Sequence, residues 1–507
     1  MTPNNIKIRI DTMISKKLQE ARDFEKKYLA KDDKDIRPLF HATGTVGWIN
    51  DPNGFSRFGD KYHLFYQYHP YTNHWGPMHW GHSTSDDLIK WEYLPCALAP
   101  DEDYDKDGCF SGSAITLDDG RMLLMYTSVV RKEEADGQMK DYQQQSIAIG
   151  DGIDFEKVSS NPVISTDMIP AGGDKHDFRD PKIIKYDGKY YCFAINRHPD
   201  GSGQILVYES DDAISWSFNK VLDRSDNQVG RIWECPDYFA LDDKKVLIVS
   251  PQETEGKGDN IFPGFNNFFL VGEGEGFLDF DRQAVWPIDF GTDFYAAQTI
   301  ETVDGRRVMI AWMQNWETVN CGNDLHDYYS TMTIPRQLFI KDGHVYQQPI
   351  QELDNYRINE VTYNAVQVKD AVAFDEINGR CFDLNLHLKK ADDKDYIFTM
   401  KLAKNSSYET KIVVDSKRGT IKLDRTNSGV RFSALSEREF PVDFAGDEIK
   451  LRVIMDRFTL ELFVNDGKQA ASMKIDTDIA ADEIAFESDE TVIMDITKYD
   501  FKEGLFA

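Results

Sequence analysis

Asp187-Gly188-Lys189-Tyr190-Tyr191-Cys192-Phe193-Ala194-Ile195-Asn196 is a turn dipeptide followed by an apolar, aromatic-rich run. Asp-Gly tolerates the left-handed backbone a two-residue hairpin needs, so the stretch predicts a tight turn leading into a buried strand. The same construction recurs at Gly59-Asp60-Lys61 before YHLFYQY, Asp119-Gly120-Arg121 before MLLMYTS, Asp242-Asp243-Lys244 before KVLIVS and Asp304-Gly305-Arg306 before RVMIAW. The turns start 60, 68, 55 and 62 residues apart. A second signature, Ser85-Asp86-Asp87-Leu88-Ile89-Lys90-Trp91, returns 125 residues later as Ser210-Asp211-Asp212-Ala213-Ile214-Ser215-Trp216, two periods on. Unrelated hairpins would not hold period and phase together. Five units of about four strands predict a five-bladed β-propeller.

The repeat fades after Tyr346-Gln347-Gln348-Pro349. Beyond it, segments such as CFDLNLHL, YIFTMKLA and FTLELFVNDG alternate apolar and polar residues between turn-forming ones, which predicts an antiparallel β-sandwich. Ahead of the propeller, Ile14, Leu18, Ala21, Phe24 and Tyr28 recur at helical spacing over about residues 11–29. The expected all-β organisation is an N-terminal helical extension (1–37), the propeller (38–349), a polar linker (350–362) and the sandwich (363–507).

The strand preceding each turn should be innermost in its blade and line the central channel. Asp51, Asp180 and Glu234 lie eight, seven and eight residues before their turns, each with proline one or two positions later (Pro52, Pro181, Pro236). Proline is tolerated at a free strand edge. Acids 129 and 54 residues apart in sequence should therefore converge on one axis, the one-residue difference in offset being absorbed in turn length. An isolated Asn-Asp-Pro would be read as an Asx turn; three such sites in phase are not. Carboxylates in an aromatic-lined funnel suit glycosidic bond cleavage, where one acid stays ionised and another carries a proton. Glu234, beside Ile232, Trp233, Cys235 and Pro236, is expected to be desolvated and to act as the acid. Asp51, between Asn50 and Asn53, is expected to stay charged and act as the nucleophile.

These stretches, Trp48-Ile49-Asn50-Asp51-Pro52-Asn53-Gly54, Phe178-Arg179-Asp180-Pro181 and Trp233-Glu234-Cys235-Pro236, resemble glycoside hydrolase family 32, the β-fructofuranosidases. The resemblance runs over nearly the whole chain. It implies a five-bladed propeller plus β-sandwich and retaining hydrolysis of β-D-fructofuranosides, with neither metal nor cofactor. It further implies Asp51 as nucleophile, Glu234 as acid/base and Asp180, with Arg179 beside it, as transition-state stabiliser. Matched positions imply a fructose pocket of Asn50, Gln67, Trp75, Phe110 and Ser111, with Tyr295 and Trp312 as weaker members. Sucrose, sucrose 6-phosphate and short fructo-oligosaccharides are the implied substrates. A fructosyltransferase on the same scaffold and a non-catalytic sugar-binding propeller are the alternatives.

Lys+Arg is 58 against Asp+Glu 87, a net charge of −29, which argues against nucleic acid or an anionic membrane as partner. Six cysteines without a CxxC pair suit free thiols in a reducing compartment. With no apolar leader and no run of membrane-spanning length, the expected location is cytoplasmic. Histidines 63, 69, 74, 79 and 82 crowd into twenty residues, but without metal-ligand spacing; pocket or hydrogen-bonding roles fit better, with His79 or His82 against substrate. Lys175, His176, Arg197 and His198 are candidates to hold a phosphate or, equally, solvent-facing charges.

Overall fold

In the computed structural model, which describes residues 14–31, 36–258, 260–319, 325–429 and 435–502, each of the five repeated turns joins an innermost strand to the next strand of its blade. The innermost strands are Gly47–Phe58, Gly108–Thr116, Phe178–Tyr186, Asp237–Leu241 and Tyr295–Glu301. Each leads a four-stranded antiparallel sheet, giving a five-bladed propeller. Middle strands such as Met122–Glu133 and Lys244–Val249 are packed on both faces, which is why they read as unbroken apolar runs. The ring closes where Tyr328–Tyr329 pairs in parallel with Gly47 and Trp48, adding a fifth strand to blade one. The duplicated Ser-Asp-Asp motif folds twice into one turn. The Ser85 and Ser210 hydroxyls accept from the amides of Leu88 and Ala213, and both of these residues sit at positive φ.

Residues 357–502 form the sandwich, whose strands alternate inward apolar and outward polar residues, as in Glu409–Asp415. The strand Glu483–Phe501 belongs to both layers: its first residues pair with Ile397–Lys404, and from Val492 onward it pairs with Cys381–Lys390. The segment expected as a linker (350–362) is not irregular. It holds a 3₁₀ turn, Gln351–Tyr356, and the start of a sandwich strand, Arg357–Val372.

The N-terminal helix runs Lys16–Leu29, capped by Ser15. Leu18, Ala21 and Tyr28 are buried as expected, but the rest of the face differs. Arg22 and Glu25 point inward, donating to the Cys96 carbonyl and accepting from the Cys96 amide at 2.9 Å each, while Ile14 and Phe24 are left exposed. Two charged residues on the inner face are tolerated because each meets a backbone partner on the outer strand Trp91–Leu98. No helix among the described residues is long and apolar enough to cross a membrane.

Propeller and sandwich share a buried charged seam. Arg336, with no exposed surface, donates to Asp289 at 3.0 Å, Glu461 at 2.9 Å and Gln347 at 2.7 Å. His41 lies between Asp456 at 2.9 Å and Glu461 at 3.0 Å. Burial alone would push the His41 pKa down; hydrogen bonds to the two carboxylates outweigh it and raise it to about 9. Replacing Glu461 with Ala leaves a buried guanidinium and imidazolium underpaired, and should cost about 3–5 kcal/mol in urea-induced unfolding. The pH dependence has a definite sign. The folded value exceeds the unfolded one, near 6.5, so the His41 contribution is complete below about pH 6.5 and is lost as pH rises through about 9. Thermal melts from pH 6 to 10 should show this loss, and His41→Gln should flatten it.

Candidate active site

The innermost strands are not regular where they meet the channel mouth. Between Ile49 and Pro52, Asn50 and Asp51 stand opposite the single residue Gln67; Asp180 and Pro181 likewise oppose Ala194. Ser111 is the extra residue of blade two, and Ala296 and Ala297 oppose Ala311 in blade five. In blade four Glu234 pairs through its backbone with Ser250, after which Cys235 and Pro236 oppose Val249. A bulge re-aims the side chains beside it. All five blades thus turn residues out of the sheet at one level, and proline fits there because the ladder is already interrupted. Asp180 precedes proline yet adopts φ +57, as do Cys235 (φ +49) and Ala296 (φ +57) at the bulges of blades four and five.

The offset difference between Asp51 and Asp180 resolves the same way. Blade one carries a second bulge between Asn53 and Ser56, at Gly54 (φ +49), and this adds the extra residue. The expected absorption in turn length is not what occurs, since both turns have two residues.

Asp51, Asp180 and Glu234 line one cavity of about 740 Å³, together with Asn50, Gln67, Phe110, Ser111 and Arg179. The acids are linked. Ser111 Oγ donates to Asp51 Oδ2 at 2.6 Å, and Asn50 Nδ2 to Oδ1 at 3.1 Å. The Cys235 thiol lies 3.5 Å from Asp51 Oδ2 and 3.6 Å from Asp180 Oδ2, and its amide donates to Asp180 Oδ2 at 2.9 Å. Arg179 donates to Glu234 Oε1 at 3.0 and 3.2 Å and sits 3.9 Å from Asp180. Tyr295 donates to Glu234 Oε2 at 2.6 Å.

Burial runs opposite to the expectation. Asp51 and Asp180 are the enclosed acids, at 9% and 6% exposure, while the Glu234 side chain keeps 15%. Trp233 does not cover Glu234; its indole donates to the Val229 carbonyl at 2.8 Å and packs between blades three and four. Burial is the largest influence on Asp51 and raises its pKa, opposed by donation from Ser111, Asn50 and Cys235. Asn53 does not contribute, because its Oδ1 accepts the Gly112 amide. Burial also raises Asp180, against the pull of Arg179.

Other expected pocket residues divide. Trp75, an exposed side chain, stands edge-on to Phe110 at 5.9 Å and does not line the cavity itself. Trp312 is fully buried, donates to Ser330 and packs against Trp48 and Trp316; it is packing, and Trp316 is the indole that reaches the cavity. Gln143 and Asp177, missed in the sequence, both hold Arg179 Nη1. Asp177 lies two residues before that arginine, and no further signal marks either one.

His79 and His82 are buried in blade one and do not reach the cavity. His82 Nε2 shares a 2.9 Å hydrogen bond with His63 Nδ1, and burial pushes both rings to lower pKa, His63 to about 4. No group of three or more His, Cys, Asp or Glu among the described residues is placed to hold a metal. Of the phosphate candidates only His176 lines the cavity; Lys175 pairs with Glu134, Arg197 with Asp177 and His198 with Asp200.

Residues 41–349 match the model of the glycosyl hydrolases family 32 N-terminal domain, and residues 352–502 that of the family 32 C-terminal domain. Sucrose-6-phosphate hydrolase of Escherichia coli is 33% identical over 467 residues, covering 91% of this chain and 94% of that protein. Raffinose invertase of Escherichia coli is 32% identical, with the same coverage. Among solved structures, a Bombyx mori GH32 β-fructofuranosidase superposes with TM-score 0.82 at 30% identity, covering 96% of this chain and 99% of that one. A mutant of that enzyme in complex with sucrose gives 0.81.

Proposed function

The chain belongs to glycosyl hydrolase family 32 and is a glycoside hydrolase, and we propose that it cleaves terminal β-D-fructofuranosides with retention of configuration. Sucrose and sucrose 6-phosphate are the substrates that its relatives' names favour. The observation that carries this reading is the convergence of Asp51, Asp180 and Glu234, from three blades, on one hydrogen-bonded cavity floor.

Asp51 attacks the anomeric C2. Its Oδ1 has one donor, whereas Oδ2 has Ser111 and Cys235, so Oδ1 is the attacking oxygen. Glu234 protonates the departing glycosidic oxygen, and the fructosyl–Asp51 ester forms as the C2–O bond breaks. Glu234, now ionised, takes a proton from water, whose oxygen displaces Asp51 and returns the β-fructose anomer. Arg179 and Tyr295 hold Glu234 in place for both steps. Asp180 grips the fructose hydroxyls as positive charge develops at C2. Proton NMR of the first product tests the scheme: β-fructofuranose should appear before mutarotation, and initial α-anomer would refute it.

Ser111 supplies a second test. Its hydroxyl favours the charged form of Asp51, so Ser111→Ala raises the nucleophile's pKa. The acid limb of the kcat/KM profile should move to higher pH, with the alkaline limb in place. An intracellular, reducing setting fits the five described cysteines, all of them free; Cys321 lies outside the described residues.

A further inference from the structure

Blade two has a hairpin that outruns its own sheet. The innermost strand begins where Gly108 pairs with Val129, but the ladder between the next two strands continues from Val130–Tyr142 to Glu133–Met139. This overhang stands at the cavity mouth and gives Arg131, Met139, Lys140 and Asp141 to its wall. It is anchored at its base by Gln143, which accepts from Arg179, and by His176, whose Nδ1 donates to the Asp141 carbonyl at 2.8 Å. Arg131 spends only Nε on the Asp141 carboxylate, at 2.7 Å. That bond orients the guanidinium and leaves both terminal nitrogens without a hydrogen bond among the described residues. The Lys140 ammonium likewise makes no hydrogen bond or ion pair there.

Resting on the fructofuranosidase reading, we infer that Arg131 and Lys140 bind a phosphate carried on the 6-hydroxyl of the leaving-group sugar. A neutral hexose needs no charged donors, whereas a phosphate is matched by a guanidinium fork plus an ammonium. The chain's net charge of −29 and the three carboxylates on the floor repel a dianion, so a phosphosugar needs local cations to enter. The floor, lined by Asp51 and Asp180, is hostile to phosphate. The mouth, through which the leaving group departs, is where the unpaired donors stand. Met139, 60% exposed, offers an apolar contact for the same sugar.

The test compares kcat/KM on sucrose, sucrose 6-phosphate (phosphate on the glucosyl unit) and the isomer phosphorylated on the fructosyl 6-hydroxyl, for the wild type and Arg131→Ala/Lys140→Ala. Both side chains lie on an exposed hairpin, and unchanged melting confirms that the variant folds. The wild type should prefer sucrose 6-phosphate over sucrose, and that ratio should fall about tenfold to a hundredfold in the variant, as expected for lost charge-assisted hydrogen bonds. Raised salt should shrink the preference of the wild type only. A wild type indifferent to the glucosyl phosphate, a variant that loses both substrates in proportion, or a preference for the fructosyl isomer would overturn the inference. Failure to turn over any of the three would instead sink the fructofuranosidase reading beneath it.

Discussion

Asp51→Ala should lower sucrose turnover by a factor on the order of 10⁵ to 10⁶, the loss expected when the nucleophile of a covalent mechanism is removed. The fold should survive. The bulge that presents Asp51 is backbone geometry shared by all five blades, and the side chain supports no strand pairing. Burial already disfavours the Asp51 carboxylate, so its removal should leave melting unchanged or slightly higher. Sucrose binding by calorimetry should persist, because Asp180, Arg179, Asn50 and Gln67 still line the cavity. Loss of binding together with turnover would make Asp51 a structural residue.

Glu234→Gln should cut kcat on sucrose by about 10²–10⁴-fold, the usual yield of general acid–base catalysis. The defect should depend on the leaving group. With an aryl β-fructofuranoside, whose phenol departs without protonation, the first step recovers and the second does not. A burst of phenol should then precede a slow steady state. Azide, which needs no general base, should accelerate that steady state and give a β-fructosyl azide. Tyr295 and Arg179 would each lose part of their partner in this variant, so a small drop in melting temperature is expected as well. No burst and no azide rescue would remove Glu234 from the acid/base role.

The repeat was legible because five turn-and-strand units keep their phase in the sequence, and a strand buried on both faces must read as an unbroken apolar run. The convergence of the acids followed from that phase. The bulges were not legible, since a two-against-one mismatch depends on the partner strand and leaves no local pattern at Asn50-Asp51 or Ala296-Ala297. That gap explains why the burial of the acids differs from the expected order. Neighbours in sequence, Trp233 beside Glu234 and Asn53 near Asp51, point elsewhere once a bulge rotates them. Ser111 and Cys235, which join the neighbouring Asn50 in donating to Asp51, come from other blades. The inward-facing Arg22 and Glu25 of the helix were hidden for a related reason, because their partners, Cys96 for both and Asp154 for Arg22, lie on other elements.

The central claim is that Asp51 carries the fructosyl group while Asp180 and Glu234 serve it from other blades. The direct measurement is peptide mapping by mass spectrometry of Glu234→Gln quenched during turnover of an aryl β-fructofuranoside. The account predicts a fructosyl ester on the peptide that contains Asp51. An ester on the Asp180 peptide, or no adduct despite a phenol burst, would contradict it.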